Sequence, residues 1–482
     1  LKFVIFSSQT PTASIASLIK LINYNSLFKG MVKIGLEIHG YINTKEKLFC
    51  SCRTIHGAKL TKPNVNICPV CTGQPGAKPM LPNEETIKKA IQISLILGCK
   101  INRKTVWQRK HYSWPDLPKG YQNTLSGPYA IPTGVDGEFE GIRIRECHLE
   151  EDPAAWNPKT GEIDYNRSGI PLIEIVTEPD FKDSEQVKQW LKELVTTLGY
   201  VKAINKKSGI KVDVNVSVKG ERVEIKNVNS ISDIKDSIDV EIIRQEKLNE
   251  PLREQETRRY DANKRATVKM RSKEQAEDYR FISDPDLPSL NISSSIIKSL
   301  KKTIPESPME KLQKLIKKYK IEKSSAKILT KNIDIIELFE KTIQKINPKL
   351  AIRWITEELF SVLNYNKKTL DEIDFNSEHF IELLELIEKK EISELKAQEI
   401  LRSWKEKSFS PGYGIKDYKQ ISNINEIEKI VDKMIKDNKK AVDDYKSGKS
   451  WAINFLMGKI MESTNKRADY MIAKEILLKK LR

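Results

Sequence analysis

The chain is poor in the residues that staple or interrupt a fold. Its 482 residues include six cysteines, 21 glycines and 21 prolines. Six cysteines over this length exclude a disulfide scaffold. So little Gly and Pro excludes collagen-like and low-complexity chains. No apolar run approaches the roughly 18 residues that a membrane helix needs, which predicts a protein without membrane spans. Several signatures are missing too. There is no GxGxxG, GxSxG or HExxH, and Gly448-Lys449-Ser450 lacks the upstream glycine of a phosphate loop because position 443 is Asp. A Gly/Ser-rich amidase signature and an evident Cys/His hydrolase pair are also absent.

What is present is charge. Lys and Arg number 83 against 66 Asp and Glu, a net +17. Such an excess points to a polyanionic partner. It is uneven, since residues 401–482 carry 19 basic against 11 acidic side chains, and residues 1–30 hold three lysines and no acid. The C-terminal segment is therefore the expected site of phosphate-backbone contact. Solvated Lys-rich helices fit the same composition. With 39% apolar residues, the chain can bury cores, and its length suggests about three domains of about 150 residues each.

Residues 1–30 are Ser-rich and basic, without Arg, and read as a spurious upstream extension in preference to a targeting segment. From Met31 to about Asn291, β-type runs alternate with Gly/Pro turns: Gly141–Leu149, Pro171–Thr177, Lys211–Val218 and Glu221–Lys226. Amphipathic helices intervene at Glu84–Leu97 and Ser184–Leu198. Period-two strands without a βαβ rhythm predict an α+β domain on a largely antiparallel sheet. After Ser293 the strand signals stop. Helices are expected over Glu310–Tyr319, Pro348–Leu363, Glu378–Lys389 and Glu394–Trp404. A loop at Ser410–Gly414 precedes a last group at Asn425–Asp437, Lys439–Ser447, Trp451–Met461 and Ala468–Leu481. The expected domains are thus 31–293, 294–410 and 411–482.

Three residue sets carry chemistry. Cys50-Ser-Cys52 and Cys68-Pro-Val-Cys71 supply two thiols each, the pattern of a four-sulfur structural Zn²⁺ site; unligated or redox thiols are the alternative. Glu37 and His39 project from one face of a strand. Glu150 and Glu151 end another strand, and Glu174 lies inside an apolar one. A carboxylate among Leu172, Ile173, Ile175 and Val176 is costly unless paired or bound to a cation. Three strands each offering an acid suit Mg²⁺; on spacing alone, salt bridges on exposed strand faces are the better account. The third set is the tract Arg109 to Gln122, with Lys110, Tyr112, Lys119 and Tyr121. Its prolines predict a loop, of the kind that binds anions or stacks on bases, or one that simply packs on the surface. Arg258 and Arg271 belong to similar basic stretches.

Taken together and in order, these motifs resemble the B subunit of the aspartyl/glutamyl-tRNA amidotransferases, the GatB family. The match runs from Met31 to near the C-terminus. It rests on Gly35-Leu-Glu37-Ile-His39, Tyr112 to Gln122, His148-Leu-Glu150-Glu151-Asp152, Asn166 to Glu174, Glu178-Pro-Asp180, Asp213-Val-Asn215-Val-Ser217, Lys226-Asn227-Val-Asn229-Ser230, Gln255 to Arg259 and Met270 to Arg280. The related E subunit holds an inserted domain for which this chain has no room. The resemblance implies a cradle domain similar to the glutamine synthetase and guanido kinase group, then a helical domain, then a small basic tail that holds tRNA. It implies ATP-dependent phosphorylation of the side-chain carboxylate of Asp or Glu mischarged on tRNA(Asn) or tRNA(Gln), followed by amidation with ammonia. ATP, Mg²⁺ and a structural Zn²⁺ are the implied cofactors. The implied partners are a glutaminase, which is the family's amidase or A subunit, together with the small C subunit. The three would form a cytoplasmic heterotrimer, organellar if residues 1–30 are a transit peptide.

By that match Glu37, His39, Glu150, Glu151 and Glu174 form the Mg²⁺ and catalytic set. Lys110, Lys119, Arg258 and Arg271 are candidate phosphate contacts, and Tyr112 and Tyr121 candidate stackers. His39 ligation suits softer metals better than Mg²⁺. Two departures stand out. Lys211 precedes the Asp213 strand where the family has Arg, and a Lys lacks Arg's bidentate fork. Asp284 replaces a family Glu in Phe281–Pro288, a change expected to stand apart from the acid set. The competing readings are a non-catalytic Zn-containing RNA-binding protein and a free-standing amide ligase.

Overall fold

A computed structural model of the chain describes residues 32–55, 62–205, 208–218, 220–272, 279–414 and 418–481. The expectation for residues 1–30 lies outside the described residues. The chain divides into two compact units, one ending at Pro305 and one beginning at Glu306.

Alternation builds the first unit. In Lys33–Tyr41 (β1), Ile34, Leu36 and Ile38 are buried in the core, while Glu37 and His39 face the other side of the pleat. Further strands are Gln108–His111 (β2), Tyr121–Thr124 (β3), Ile142–Glu151 (β4), Pro171–Thr177 (β5), Ile210–Ser217 (β6) and Val223–Val228 (β7). The alternation recurs in β5 and β6, where Ile173 and Ile175, and Val212, Val214 and Val216, take the core side. With Glu256–Asp261 (β8), Ala266–Ser272 (β9) and Ile282–Ser283 (β10), these strands form one sheet in the order β9-β8-β7-β6-β1-β5-β4-β3-β2-β10. Two further strands, Lys100–Ile101 and Gly134–Phe139, pair with each other and extend it from β4. The sheet is antiparallel except where β7 runs parallel to β8.

Three helices cover one face. Each begins on a side chain that accepts a backbone N–H: Asn83 for Glu84–Ile96 (α1), Asp183 for Ser184–Tyr200 (α2) and Ser230 for Ile231–Glu246 (α3). Ile93, Leu191, Leu194, Ile234 and Ile238 interlock with Ile173, Ile175, Val212, Val214 and Ile225 in one core. Each fully buried Leu or Ile contributes about 1.5–3 kcal/mol. With one face sealed, the other is free to carry polar chemistry.

Two expectations change. The tract Arg109 to Gln122 is a loop only in its middle. Its ends lie on β2 and β3, which pair with Lys110 opposite Gln122 and His111 opposite Tyr121. Pro115 and Pro118 sit between the strands and leave the ends free to hydrogen-bond. Also, Ser294–Thr303 (α4) stays with the first unit, its Thr303 Oγ1 accepting from Gln92 of α1 at 2.9 Å.

The second unit is helical throughout its named elements. The helix expected over Pro348–Leu363 widens to an i→i+5 turn at Trp354–Leu359. That turn brings Trp354 and Leu359, five residues apart, into the core together. The last four helices, Ile424–Asp437, Lys439–Lys446, Trp451–Ser463 and Tyr470–Leu481, close a separate core around Ile427, Val431, Leu456, Ile460 and Leu477.

Candidate active site

The exposed pleat of β6, β1, β5 and β4 brings most of the acid set together. Register places His39 opposite Glu174 on one side and Lys211 on the other. Glu174 in turn faces His148, and Glu37 faces Asp213. His39 Nε2 lies 3.4 Å from Glu150 Oε1 and 3.6 Å from Glu174 Oε2. His148, almost wholly buried, places Nε2 at 2.9 Å from Glu174 and Nδ1 at 3.1 Å from Glu146. The result is a continuous line, Glu146-His148-Glu174-His39-Glu150.

Its electrostatics follow from burial set against neighbours. Burial disfavours the charge on Glu174, yet His39 and His148 on either side hold its carboxyl well below the usual range. Burial likewise opposes charging His39, but Glu174 and Glu150 lift it well above its ordinary value. The same balance, with Glu174 and Glu146 as partners, raises His148 to about 10. Glu37 is pushed up by burial and by the charge of Glu174. Beside it, Lys226 Nζ lies 2.6 Å from Asp213 and 2.7 Å from Glu224.

Two three-residue groups on this face gather ligand atoms within 4.8 Å of one another: His39, Glu150 and Glu174, and Glu37, Asp213 and Glu224. The first fits a divalent cation once the cation displaces the His39 proton, since two carboxylates and a neutral imidazole then converge without a lysine between them. In the second, the Lys226 ammonium already supplies the positive charge. A cavity of about 290 Å³ opens beside Glu37, lined also by Lys33, Arg145, Asn215 and Arg222. Asn215 Oδ1 and Arg222 Nε on its wall are buried without a hydrogen-bond partner among the described residues, which marks it as a place for a polar ligand.

Glu151 belongs to a second branch. It accepts from Lys119 Nζ at 2.5 Å and from the Asn123 backbone at 3.0 Å. Asn123 Nδ2 donates to Asp284 at 2.5 Å, and Asp284 also accepts from Arg109 Nε at 2.8 Å. The Asp284 position therefore does touch the acid set, through Asn123. The expectation that it stands apart is corrected; the link spans 161 residues and has no local signature. Tyr121 lies beneath Arg109 at 4.2 Å and Lys119 at 4.9 Å. Lys110 sits 4.8 Å from the Tyr279 ring, against whose edge Tyr112 packs.

Arg258 lies away from this cluster. Its guanidinium pairs with Glu256 at 2.9 Å and donates to the Thr267 side chain and backbone, on the β8–β9 side of the sheet. Arg271 is on β9 opposite Thr257, and its side chain lies outside the described residues.

The four cysteines converge, with all four sulfurs within 4.8 Å of one another. Cys68 and Cys71 Sγ are 3.8 Å apart. Four sulfurs at about 2.3 Å from a tetrahedral zinc stand about 3.8 Å apart, so the donor set fits. Hydrogen bonding from Cys50, against burial, pulls the Cys71 thiol down to about 4, while burial raises Cys52 to about 11. Cys99 and Cys147 are elsewhere in the core. The turn after Cys71 lies close against the 112–120 loop: a Cβ on Gly73 would stand 2.6 Å from the Pro118 carbonyl oxygen.

The sequence profile of the GatB/GatE catalytic domain matches residues 32–298, and that of the GatB domain matches 337–481. The chain belongs to the GatB family. A relative in Methanocaldococcus jannaschii, named as the B subunit of aspartyl/glutamyl-tRNA(Asn/Gln) amidotransferase, is 42% identical over 473 residues, covering 93% of this chain and 98% of its own. Like-named relatives in Methanothermobacter thermautotrophicus and Methanopyrus kandleri are 42% and 41% identical, covering 91% and 93% of this chain and 97% and 98% of theirs.

Within this GatB-family fold, the sequence reading missed His148, Glu146, Asn123 and Lys226 as members of the site. For the first two the signal was available. Glu146, His148 and Glu150 share the parity of the polar face on β4. Lys211, at the family's Arg position, reaches Tyr41 Oη at 3.4 Å and is pushed down by burial, making no forked contact.

Proposed function

We propose that this chain is the carboxylate-activating component of a glutamine-dependent tRNA amidotransferase. The supporting observation is the line of carboxylates and imidazoles on the open pleat, with Lys119 on the adjoining Glu151 and a cavity with orphaned polar atoms beside Glu37. The first unit reads as a cradle of the glutamine synthetase and guanido kinase kind, whose floor is that pleat.

A carboxylate is a poor electrophile, so amidation needs an acyl phosphate. The side-chain carboxylate of Asp or Glu on tRNA attacks the γ-phosphorus of ATP; the new P–O bond forms as the bond to ADP breaks. Ammonia then attacks the acyl carbon, phosphate leaves with the bonding pair, and the nitrogen loses a proton. His39, Glu150 and Glu174 would hold Mg²⁺, which supplies charge neutralisation for the phosphates when bound. His148 and Glu146 keep Glu174 oriented. Lys119, anchored by Glu151 and Asn123, and Lys110 face the anionic substrate, with Tyr112 beside them as a base-stacking surface. Glu37, raised by burial, is the group on this face suited to accept the proton from nitrogen.

The Cys50, Cys52, Cys68 and Cys71 cluster would hold a structural Zn²⁺. Ammonia comes from a glutaminase partner, the amidase of the complex, and a small third protein completes a cytoplasmic heterotrimer. An acyl phosphate hydrolyses in water, so delivery must be shielded. The basic helices after residue 411 are the surface for the tRNA body, where phosphate contacts position without reading sequence. Eleven lysines against three glutamates over residues 298–331 offer a second basic stretch.

The test is ATP turnover by the reconstituted complex with and without Asp- or Glu-tRNA. Glu174→Gln should lower tRNA-stimulated turnover by at least about 100-fold while leaving tRNA affinity intact. Turnover unmoved by charged tRNA would sink the enzyme reading and leave the RNA-binding one.

A further inference from the structure

Lys47 is the anomaly beside the cysteine cluster. It stands in the turn after β1, and its side chain is 1% exposed. Lysine is among the residues least often buried, because stripping water from an ammonium costs several kcal/mol unless an opposite charge is at hand. Among the described residues no carboxylate lies within ion-pair distance of it. Its Nζ instead makes three contacts: the Asn66 carbonyl at 3.2 Å, the Tyr165 carbonyl at 3.2 Å and Cys71 Sγ at 3.5 Å. These use all three N–H donors. Two carbonyls offer only partial charge. The remaining acceptor is sulfur, and it carries a formal charge only as a thiolate.

The surroundings are built for this contact. Gly169, at φ +81°, lies against both partners, where a Cβ would stand in ordinary contact at 3.7 Å from the Cys71 Cβ and 3.8 Å from the Lys47 Cδ. The Cys71 carbonyl accepts from Ser168 Oγ at 2.8 Å, and its sulfur accepts from the Cys68 N–H at 3.2 Å. Cys71 is thus fixed from three sides, with the ammonium on one of them. A divalent ion with four thiolates carries a net charge of −2, and one lysine halves it.

We propose that Lys47 is the buried counter-ion of the metal–thiolate centre, holding the metal by stabilising the Cys71 thiolate. The inference rests on the zinc reading above, and Lys47 has no part in the phosphoryl chemistry. Its two carbonyl contacts also tie the Cys68–Cys71 turn to the 163–168 segment, so metal loss would loosen both.

The experiment measures metal, not turnover. The full-length wild-type chain and Lys47→Met are analysed for zinc content by mass spectrometry, then titrated with a chromophoric chelator. Cobalt-loaded samples are compared in the thiolate-to-cobalt absorption band. The expected result is one zinc per wild-type chain, a loss of affinity of about 10–100-fold in Lys47→Met, and a shifted cobalt band. Lys47→Gln, which keeps an N–H donor but not the charge, carries the same expectation and serves if the Met variant does not fold. Wild-type affinity and an unshifted band in a folded variant would overturn the counter-ion role. A wild-type chain without metal would overturn the zinc reading itself, a separate outcome.

Discussion

Gly73 and Gly76 form a matched pair that isolates how the cysteine turn bears on the 112–120 loop. Both have positive φ, +63° and +86°. Alanine at either position pays the left-handed backbone penalty of about 1–2 kcal/mol. Nothing lies within 4 Å of a Cβ on Gly76, whereas on Gly73 it would stand 2.6 Å from Pro118 O, 2.7 Å from Pro118 C and 2.9 Å from Lys119 N. These are backbone atoms that cannot rotate away. Relief requires the 112–120 loop to retreat by several tenths of an ångström, at an overpacking cost of about 1–3 kcal/mol. Gly73→Ala should therefore cost about 2–5 kcal/mol and Gly76→Ala about 1–2. At about 2–4 °C per kcal/mol, the two melting temperatures should differ by several degrees. The retreat also draws Lys119 from Glu151 and Asn123, now at 2.5 and 2.8 Å. Misplacement on the ångström scale costs about 100-fold in rate. Scanning fluorimetry reads the first effect and charged-tRNA-stimulated ATP turnover the second. Equal melting shifts with full turnover in both variants would refute the coupling.

Three further outcomes follow from individual contacts. Arg109→Lys replaces a fork that reaches Asp284 at 2.8 Å and Asp286 at 2.7 Å with a group that serves one of them; denaturant melts should show a loss of about 1–3 kcal/mol, and an unchanged midpoint would dismiss the network. Burial pushes the Cys99 thiol up to about 12 and raises Cys147 as well, so iodoacetamide near pH ~8, below the ordinary thiol value, should leave both unmodified in the native chain; labelling at the rate of free cysteine would contradict this. Hydrogen bonds from Arg145 and Arg143 hold Glu178 and Asp180 below their ordinary values, and Lys269 and Arg258 do the same for Glu256 against burial. Their folded pKa values lie below the unfolded ones, so their stabilisation is present above pH about 4.3 and lost as pH falls through the folded values. Melting temperature should drop along that acid limb, less steeply in a Glu178→Gln, Asp180→Asn, Glu256→Gln variant; identical slopes would exclude these groups.

Strands with one sealed face are legible in the sequence. β5 spans the residues that its alternation predicts, and Glu37, His39 and Glu174 fall on the open side because Leu36, Ile38, Ile173 and Ile175 take the other. The same rule contains His148 and Glu146, which a search confined to acids at strand ends overlooks. Ile333–Thr342 is not among the expected helices, although Asn332 as cap and Ile335, Ile336 and Phe339 on one face carry a helical signal. Contacts between distant segments are not. Nothing local joins Asn123 to Asp284, or Lys47 to Cys71. Such pairings exist only once register and loop closure bring the segments together.

β1 is flanked by four strands on one side and five on the other. The acid face is therefore laid on the least deformable part of the unit, where opening a ladder means disturbing neighbours on both flanks. Such a floor has little give. Aspartate and glutamate differ by one methylene, about 1.5 Å of reach, and a stiff floor cannot rise or sink to meet both. On the proposed reading, acceptance of both chain lengths would have to reside in the rim, in the 112–120 loop and the groups it carries.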